Sequence, residues 1–326
     1  MNRGSFERSI LVTGAAGFIG STFANLMVPR YPKDRFVLLD ALTPIADPNN
    51  IDSATRNATN CVFEKVDIRD RAALERIFNT YKITEVINFA AETHVDMSLV
   101  NPQDFIDTNI VGTHNLLQLA RACGIRRFHQ ISTDEVYGAL GPEDPAFTET
   151  TPLAPRNPYS ASKASADLLV LAYHRTFNLN VVITRSSNNY GPRQDTTKLI
   201  PLFITCLLEG KKVPLYGDGK NVRDWLFVED NAQAIDIVFR NGVPGEVYNI
   251  GGNCERSNNE ITVMLLELTG RDESAIEHVA DRRGHDFRYA TGTAKMHKLG
   301  WEPQTTLHDG LERTVRYFRS KTEEVP

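Results

Sequence analysis

Tyr159 and Lys163 stand four residues apart in a stretch that reads as the start of a helix, so both side chains share one face. A phenol in isolation titrates near 10, too high for a base at neutral pH. A neighbouring ammonium, together with the positive nicotinamide ring of a bound NAD, would stabilise the phenolate and make it usable. An exposed helix pair would give the same spacing, so the pattern gains meaning only from its surroundings. Upstream, Ser132-Thr133-Asp134-Glu135-Val136-Tyr137-Gly138 closes a short apolar run. A hydroxyl followed by two acids can orient a substrate, donate a proton and remove one, provided the two carboxyls hold different protonation states. A surface pair of loop acids is the plainer alternative. A third group lies near the N-terminus, where Gly14, Gly17 and Gly20 give the spacing G-x-x-G-x-x-G. Glycines there permit a tight turn, close approach of a pyrophosphate and close helix–strand packing.

The elements that must position these groups follow from the apolar pattern. Strands are predicted at 9–13, 35–40, 61–65, 85–89, 127–132 and 180–185, and helices at about 17–28, 71–80, 102–123 and 159–177. Short apolar strands separated by helix-length segments predict a parallel sheet covered on both faces, an α/β, Rossmann-type doubly wound fold. The glycine run then lies between the first strand and the first helix, where a helix N-terminus offers N–H groups to phosphates. Asp40 ends the second strand, twenty residues after Gly20. A carboxylate there accepts from both ribose hydroxyls of an adenosine and repels a 2′-phosphate, and Ala41 supplies no arginine, so NAD is expected over NADP. Asp67-Ile68, after the third strand, is a candidate adenine contact, although acids ending strands are common.

From about residue 188 the rhythm changes. Gly-rich loops and helical patches at about 198–209, 230–240 and 259–268 suggest a smaller C-terminal lobe. The expected division is 1–187 for the cofactor domain with the catalytic residues, and 188–326 for a substrate lobe with segments returning to the first domain.

The chain has 326 residues, 41% hydrophobic and 24% charged, which suits a large globular core. Net charge is −5 with no long basic run, so neither nucleic acid nor an anionic membrane surface is an expected partner. Cys61, Cys123, Cys206 and Cys254 are scattered, giving no metal-ligand spacing and no disulfide framework; reduced, mostly buried thiols are expected. No apolar run is long enough to span a bilayer and no signal-peptide core follows Met1, which makes the cytoplasm the expected compartment.

The glycine fingerprint, Asn88-Phe89-Ala90-Ala91-Glu92, His94-Val95-Asp96, Thr133-Asp134-Glu135, Tyr159-Ser160-Ala161-Ser162-Lys163, Arg185 to Pro192 and Arg223-Asp224-Trp225 together resemble the dTDP-glucose 4,6-dehydratase family. Arg283-Gly284-His285-Asp286 and Arg288-Tyr289 extend the resemblance over nearly the whole chain. The resemblance implies that NAD is held by Gly14, Gly17, Phe18, Ile19, Gly20, Asp40, Asp67, Ile68, Ala90, Tyr159 and Lys163. It implies that Tyr159, assisted by Lys163, takes the proton of the sugar 4-hydroxyl, oriented by Thr133, while a hydride leaves C4. Glu135 would then remove the C5 proton, acidified by the new ketone, and Asp134 would protonate the departing 6-hydroxyl. Return of the hydride to C6 would yield a 4-keto-6-deoxy sugar nucleotide. On the substrate side it implies contacts from His94, Asn188, Asn189, Lys198, Asn258 and His285, with Arg223 clamping the diphosphate. It also implies a homodimer formed by the helices near 102–123 and 159–177 in a four-helix contact.

Two stretches depart from the family pattern. Ala41 to Asn50 replaces most of a run close to Lys-Leu-Thr-Tyr-Ala-Gly-Asn, with Pro44 and Pro48 stiffening the loop. Arg282-Arg283-Gly284 replaces Arg-Pro-Gly, which leaves uracil as open as thymine. The rival readings are a UDP-sugar 4-epimerase or decarboxylase on the same scaffold, and a nucleotide-binding protein without catalysis. An epimerase needs neither an acid at C6 nor a base at C5, so Asp134-Glu135 argues against it.

Overall fold

The computed structural model describes residues 6–281 and 286–323. The chain folds as two compact units, one comprising Met1–Val136, Leu153–Arg185 and Ala232–Tyr248, the other Tyr137–Pro152, Ser186–Asn231 and Asn249–Pro326.

The first unit is built on β1 (Arg8–Thr13), β2 (Asp34–Asp40), β3 (Cys61–Lys65), β4 (Glu85–Asn88), β5 (Arg127–Thr133) and β6 (Val181–Ser186). These strands join a seven-stranded sheet in the order β10-β6-β5-β4-β1-β2-β3, with β10 (Val247–Ile250) at one edge. β1 pairs in parallel with both β2 and β4, so the chain winds outward from β1 in two directions. The carboxyl end of β1 is therefore the switch point at which open α/β sheets bind ligands. Most residues of β1, β2, β4, β5 and β6 are buried because helices cover both faces. These helices are α1 (Phe18–Arg30), α2 (Ser53–Arg56), α3 (Arg71–Tyr81), α4 (Val95–Val100), α5 (Pro102–Phe105), α6 (Thr113–Ala122) and α7 (Pro158–Phe177). One face buries Leu11, Val37, Leu74, Leu117, Phe128 and Val181 in a single cluster.

The helix expected over 102–123 is interrupted. Between α5 and α6, Ile106–Gly112 is a π-helical turn. It carries Asn109, whose side chain accepts from the Glu92 N–H at 2.8 Å and donates to the Glu92 carbonyl at 3.0 Å and to Ser162 Oγ at 2.8 Å. Apolar periodicity does not register such bonds, and π turns, rare in general, occur frequently at functional sites.

The second unit places β7 (Asn188–Tyr190) parallel to β9 (Val222–Phe227), with β11 (Glu255–Ser257) antiparallel on the other side of β9. β8 (Val213–Tyr216) pairs with β12 (Ile276–Val279). Its helices are α8 (Leu199–Leu208), α10 (Asn258–Thr269), α11 (Ala294–Lys298) and α12 (Leu307–Glu323), and α9 (Val228–Asn241) begins in it and runs into the first unit. Tyr190, Phe203, Phe227, Leu265, Leu311 and Val315 form its core. The sequence reading has no counterpart for α12. Leu307, Leu311, Val315 and Phe318 give it a helical spacing, and a Cβ at Gly310 would come within 2.2 Å of the Tyr190 hydroxyl oxygen, so close packing requires the glycine.

All four cysteines are free, but the expectation of mostly buried thiols needs correction. Cys61 is buried, Cys123 is exposed where α6 ends, and Cys206 and Cys254 are half-buried.

One buried titratable group sets a pH dependence on the fold. His129 on β5 is fully buried, stacks on Phe239 at 6.3 Å between centroids and meets Thr184 Oγ1 at 3.1 Å. Burial pushes its pKa down to about 3, so the ring is neutral in the folded chain. An unfolded histidine titrates near 6.5, so the unfolded state binds the extra proton first. Stability is then fully present above about pH 6.5 and falls as pH drops toward the folded value. Thermal melts between pH 7 and pH 4 (roughly this window) should show a shallower decline for His129→Gln than for the wild type, whatever the absolute stability of the variant.

Candidate active site

The β1–α1 turn is shaped by backbone proximity. Gly14 has φ +63°, and a Cβ there would lie 2.7 Å from the Ala90 nitrogen. A Cβ on Gly20 would lie 2.2 Å from the Gly14 carbonyl oxygen. Both glycines are thus demanded by the protein itself. Gly17 differs, because a Cβ there would meet only the Gly14 oxygen, at 3.3 Å. It caps α1 in an extended conformation without a side-chain cap, and Phe18 and Ile19 open the helix half-buried. A phosphate close to the backbone accounts for a glycine that packing does not require.

Asp40 lies beside this turn. Its Oδ2 accepts from the Ala16 N–H at 2.9 Å and its Oδ1 from the Leu42 N–H at 2.8 Å. Burial raises its pKa, and these two bonds oppose that rise. Each carboxylate oxygen keeps a further acceptor site for a ribose hydroxyl. The atypical 41–50 loop is anchored on the same turn, since the Ala16 carbonyl accepts from Asp47 N at 3.3 Å and Asn50 Nδ2 at 3.0 Å. Asp67 is engaged by the Arg69 guanidinium, with contacts down to 2.7 Å, which lowers its pKa against the effect of burial, while Ile68 is buried. Ala90 follows β4, its N–H donating to Thr13 Oγ1 at 3.2 Å. The turn, the carboxylate and the small residue at Ala90 therefore fit a dinucleotide.

The acid–base cluster sits where β5 meets α7. Thr133 ends β5, and Asp134 opens a short 3₁₀ turn. The Glu135 N–H donates to Thr133 Oγ1 at 3.2 Å, Asp134 is 2% exposed and Glu135 is half-buried. α7 starts sharply, because Asn157 and Ser160 form a capping box and Pro158 occupies the first turn. Tyr159 is consequently fixed in that first turn, buried, edge-on to Phe105 and hydrogen-bonded to Thr133. Lys163, one turn later, donates from Nζ to the Ile131 carbonyl at 2.6 Å. Burial lowers its pKa to about 8, with the charge of Asp167 opposing the fall.

The expectation joins Lys163 to a second positive group, the nicotinamide ring of NAD, in lowering the phenol; the protein's own groups act the other way. Burial, and after it the charge of Glu135, push the Tyr159 pKa up, and the Thr133 bond offsets part of the rise. The protein's own groups thus keep the phenol neutral, and a positive ligand group is needed to draw out its proton.

The remaining candidates are distributed. His94 caps α4, its carbonyl accepting from Ser98 N at 3.0 Å. Asn188 and Asn189 lie on β7 in the second unit; Asn189 is fixed by Asn231 at 2.8 Å, and Asn188 Oδ1 is a buried acceptor without a hydrogen-bond partner among the described residues. Lys198 caps α8. Arg223 is 5% exposed, donates to the carbonyls of Val222 at 2.7 Å and Asp286 at 2.9 Å, and lies over the Tyr289 ring at 4.5 Å. Asn258 is the first residue of α10 and is buried. His285 lies outside the described residues. Thr133, Asp134, Glu135, Tyr159 and Lys163 therefore share the first unit, and Asn188, Asn189, Lys198, Arg223 and Asn258 the second.

Two supports escaped the sequence reading. Asn109 ties the 91–94 segment to α7, since Ser162 Oγ in turn donates to the Tyr159 carbonyl at 2.7 Å. Asp224 holds the loop after β10 by accepting from Gly252 N at 3.0 Å and Cys254 N at 2.8 Å; burial lifts its pKa to about 6. Its place in the Arg223-Asp224-Trp225 run was the available signal.

Comparison with known proteins adds ancestry to this geometry. The family model described as GDP-mannose 4,6 dehydratase matches residues 11–314. The low-salt glycan biosynthesis protein Agl12 of Haloferax volcanii is 49% identical over 96% of this chain and 99% of its own length. The dTDP-glucose 4,6-dehydratase of Neisseria meningitidis serogroup B is 49% identical over 95% of this chain and 93% of its own. The crystal structure of the dTDP-glucose 4,6-dehydratase of Bacillus anthracis in complex with NAD superposes with a TM-score of 0.90 at 46% identity, covering 97% of this chain and 98% of that one. With near-half identity sustained from end to end, the chain belongs to the dTDP-glucose 4,6-dehydratase family of the extended short-chain dehydrogenases/reductases.

Proposed function

We propose that the protein is an NAD-dependent nucleotide-sugar 4,6-dehydratase that converts dTDP-glucose or UDP-glucose to the 4-keto-6-deoxy sugar nucleotide. The observation that carries this reading is the Thr133-Asp134-Glu135 turn, which brings two carboxyls to the end of β5 beside the Tyr159 phenol. In this reading the cofactor lies on the Gly14–Gly20 turn and Asp40, within a 1–187 domain, and the sugar nucleotide is bound chiefly by 188–326.

NAD, when bound, supplies a two-electron oxidant at C4 and returns the electrons at C6. Tyr159 takes the proton of the 4-hydroxyl, and Thr133, already bonded to the phenol, holds that hydroxyl in line. Lys163 contributes positive charge in the dry pocket and stays oriented through Ile131. The C4 ketone acidifies the C5 hydrogen, which Glu135 removes as base. Asp134, more deeply buried than Glu135, enters protonated and gives its proton to the departing 6-hydroxyl, so one water leaves. Glu135 then returns its proton to C5. Asn188, Asn189, Lys198 and Arg223 are assigned to the sugar and diphosphate, and Asn258 and His285 to the nucleotide. His94 is assigned to the sugar from the first unit. An epimerase would make no use of the two carboxyls, which favours the dehydratase over that alternative.

The protein is further read as a homodimer. Ile106 and Val111 lie beside α6, Leu168 and Phe177 lie on α7, and all four are more than two-fifths exposed. Met97, Leu99 and Val100 on α4 are exposed as well. Apolar residues on these helices suit a two-fold contact. Among the described residues no helix is long and apolar enough to cross a membrane, and we place the reaction in the cytoplasm, where NAD and sugar nucleotides are available.

Incubation with dTDP-glucose and, separately, UDP-glucose should give a product lighter by one water, without net reduction of NAD; mass spectrometry names the preferred base. Inversion at C4 without mass change would replace this reading with the epimerase, and no change with either would leave a binding protein. Glu135→Gln should slow product formation by about 10²–10⁴-fold, the ordinary worth of a general base, while nicotinamide absorbance still reports oxidation at C4. Leu168→Lys should convert a sedimenting dimer to monomer, and a wild type that sediments as monomer would refute the assembly.

A further inference from the structure

Behind Lys163 lies a charged pair that no step above uses. Tyr159, Lys163 and Asp167 follow one another at intervals of four along α7, so they stack on one helix face. Asp167 is wholly buried, and its Oδ2 accepts from Arg185 Nε on β6 at 2.9 Å and from Ser132 Oγ on β5 at 3.0 Å. Arg185 is 3% exposed and Ser132 6%. The other oxygen of Asp167, Oδ1, is buried and has no hydrogen-bond partner among the described residues. A buried pair of this kind costs desolvation and adds little net stability compared with an apolar pair, so its retention beside a functional group calls for a use. Lys163, itself 4% exposed, donates to the neutral Ile131 carbonyl, which satisfies one of its three N–H bonds and none of its charge.

We propose that Asp167, clamped by Arg185 and Ser132, is a positioning residue for Lys163: it supplies the counter-charge for the buried ammonium and locks α7 to the strand that ends in Thr133-Asp134-Glu135. Arg185 holds the carboxylate in place, and Ser132 carries the clamp onto β5 one residue before the reacting hydroxyl. The charges acting on Tyr159, one turn before Lys163 on the same face, are Glu135 and Asp134 at the end of β5 and Asp167 itself. Burial draws Lys163 toward the neutral amine, and the charge of Asp167 opposes this. Removing that charge lowers the pH at which Lys163 deprotonates, whereas removing the Ser132 hydroxyl does not.

The proposal rests on the dehydratase reading for the use of Lys163, and the test separates the two. Wild type, Asp167→Asn, Asp167→Glu and Ser132→Ala are compared for NAD affinity and for kcat as functions of pH, with thermal melts as the check on folding. In Asp167→Asn the alkaline limb of both profiles should move down by about one pH unit, the usual size of a near-charge effect. Asp167→Glu and Ser132→Ala should keep the limb of the wild type. If Asp167→Asn loses its fold, the double variant Asp167→Asn/Arg185→Met, which leaves no buried charge unpaired, takes its place, with a smaller shift in the same direction. An alkaline limb unmoved in whichever of these folds overturns the proposal and leaves the pair a purely structural one. A wild type that binds NAD with the stated pH dependence yet dehydrates no sugar nucleotide refutes only the dehydratase reading.

Discussion

The hydrogen bond from Lys163 to the Ile131 carbonyl sets the register of α7 against β5. A buried ammonium must find an acceptor, and this one belongs to the strand whose next residues are Ser132, Thr133 and the two acids. One bond thereby fixes where Tyr159, a turn earlier on the helix, stands relative to Thr133. Other features follow from holding that register. The capping box at Asn157 and Ser160 fixes where the helix begins, and Asn109 ties Ser162 to the segment after β4. The π turn that presents Asn109 is a local irregularity maintained by the same requirement.

The electrostatics of the site follow from its dryness. Burial acts in opposite directions on a phenol and an ammonium, raising the pKa of Tyr159 and lowering that of Lys163. Both groups are thus drawn toward their neutral forms, and neighbouring carboxylates reinforce the effect on the phenol. A site of this kind is quiet until a positive ligand group enters it, which keeps a strong base from forming in the free protein.

Much of this was legible in the sequence because chemistry and element boundaries coincide. Gly14 to Gly20 falls between a strand and a helix, Asp40 ends β2, Thr133 ends β5 and Tyr159 opens α7. Those positions are readable because a parallel sheet collects its strand ends on one edge. The supports were less legible, for physical reasons. Asn109 and Asp224 act through side-chain to backbone bonds across distant segments, which leave no periodic trace. α12 carried a signal that could have found it, since Leu307, Leu311, Val315 and Phe318 recur at helical spacing. The opposing pull of burial on Tyr159 was not legible, because spacing along a helix says nothing about burial or about the carbonyl that claims the ammonium.

The three glycines of the β1–α1 turn are under different kinds of constraint. Gly14 and Gly20 are locked by contact between backbone atoms, so a chain that keeps the fold keeps both. Gly17 faces no such crowding from the protein itself. Over evolutionary time a descendant that had abandoned its cofactor could let position 17 drift while 14 and 20 stayed frozen. Among related sequences, that middle glycine is therefore the one whose loss marks a retired enzyme, and the outer two record only that the architecture survives.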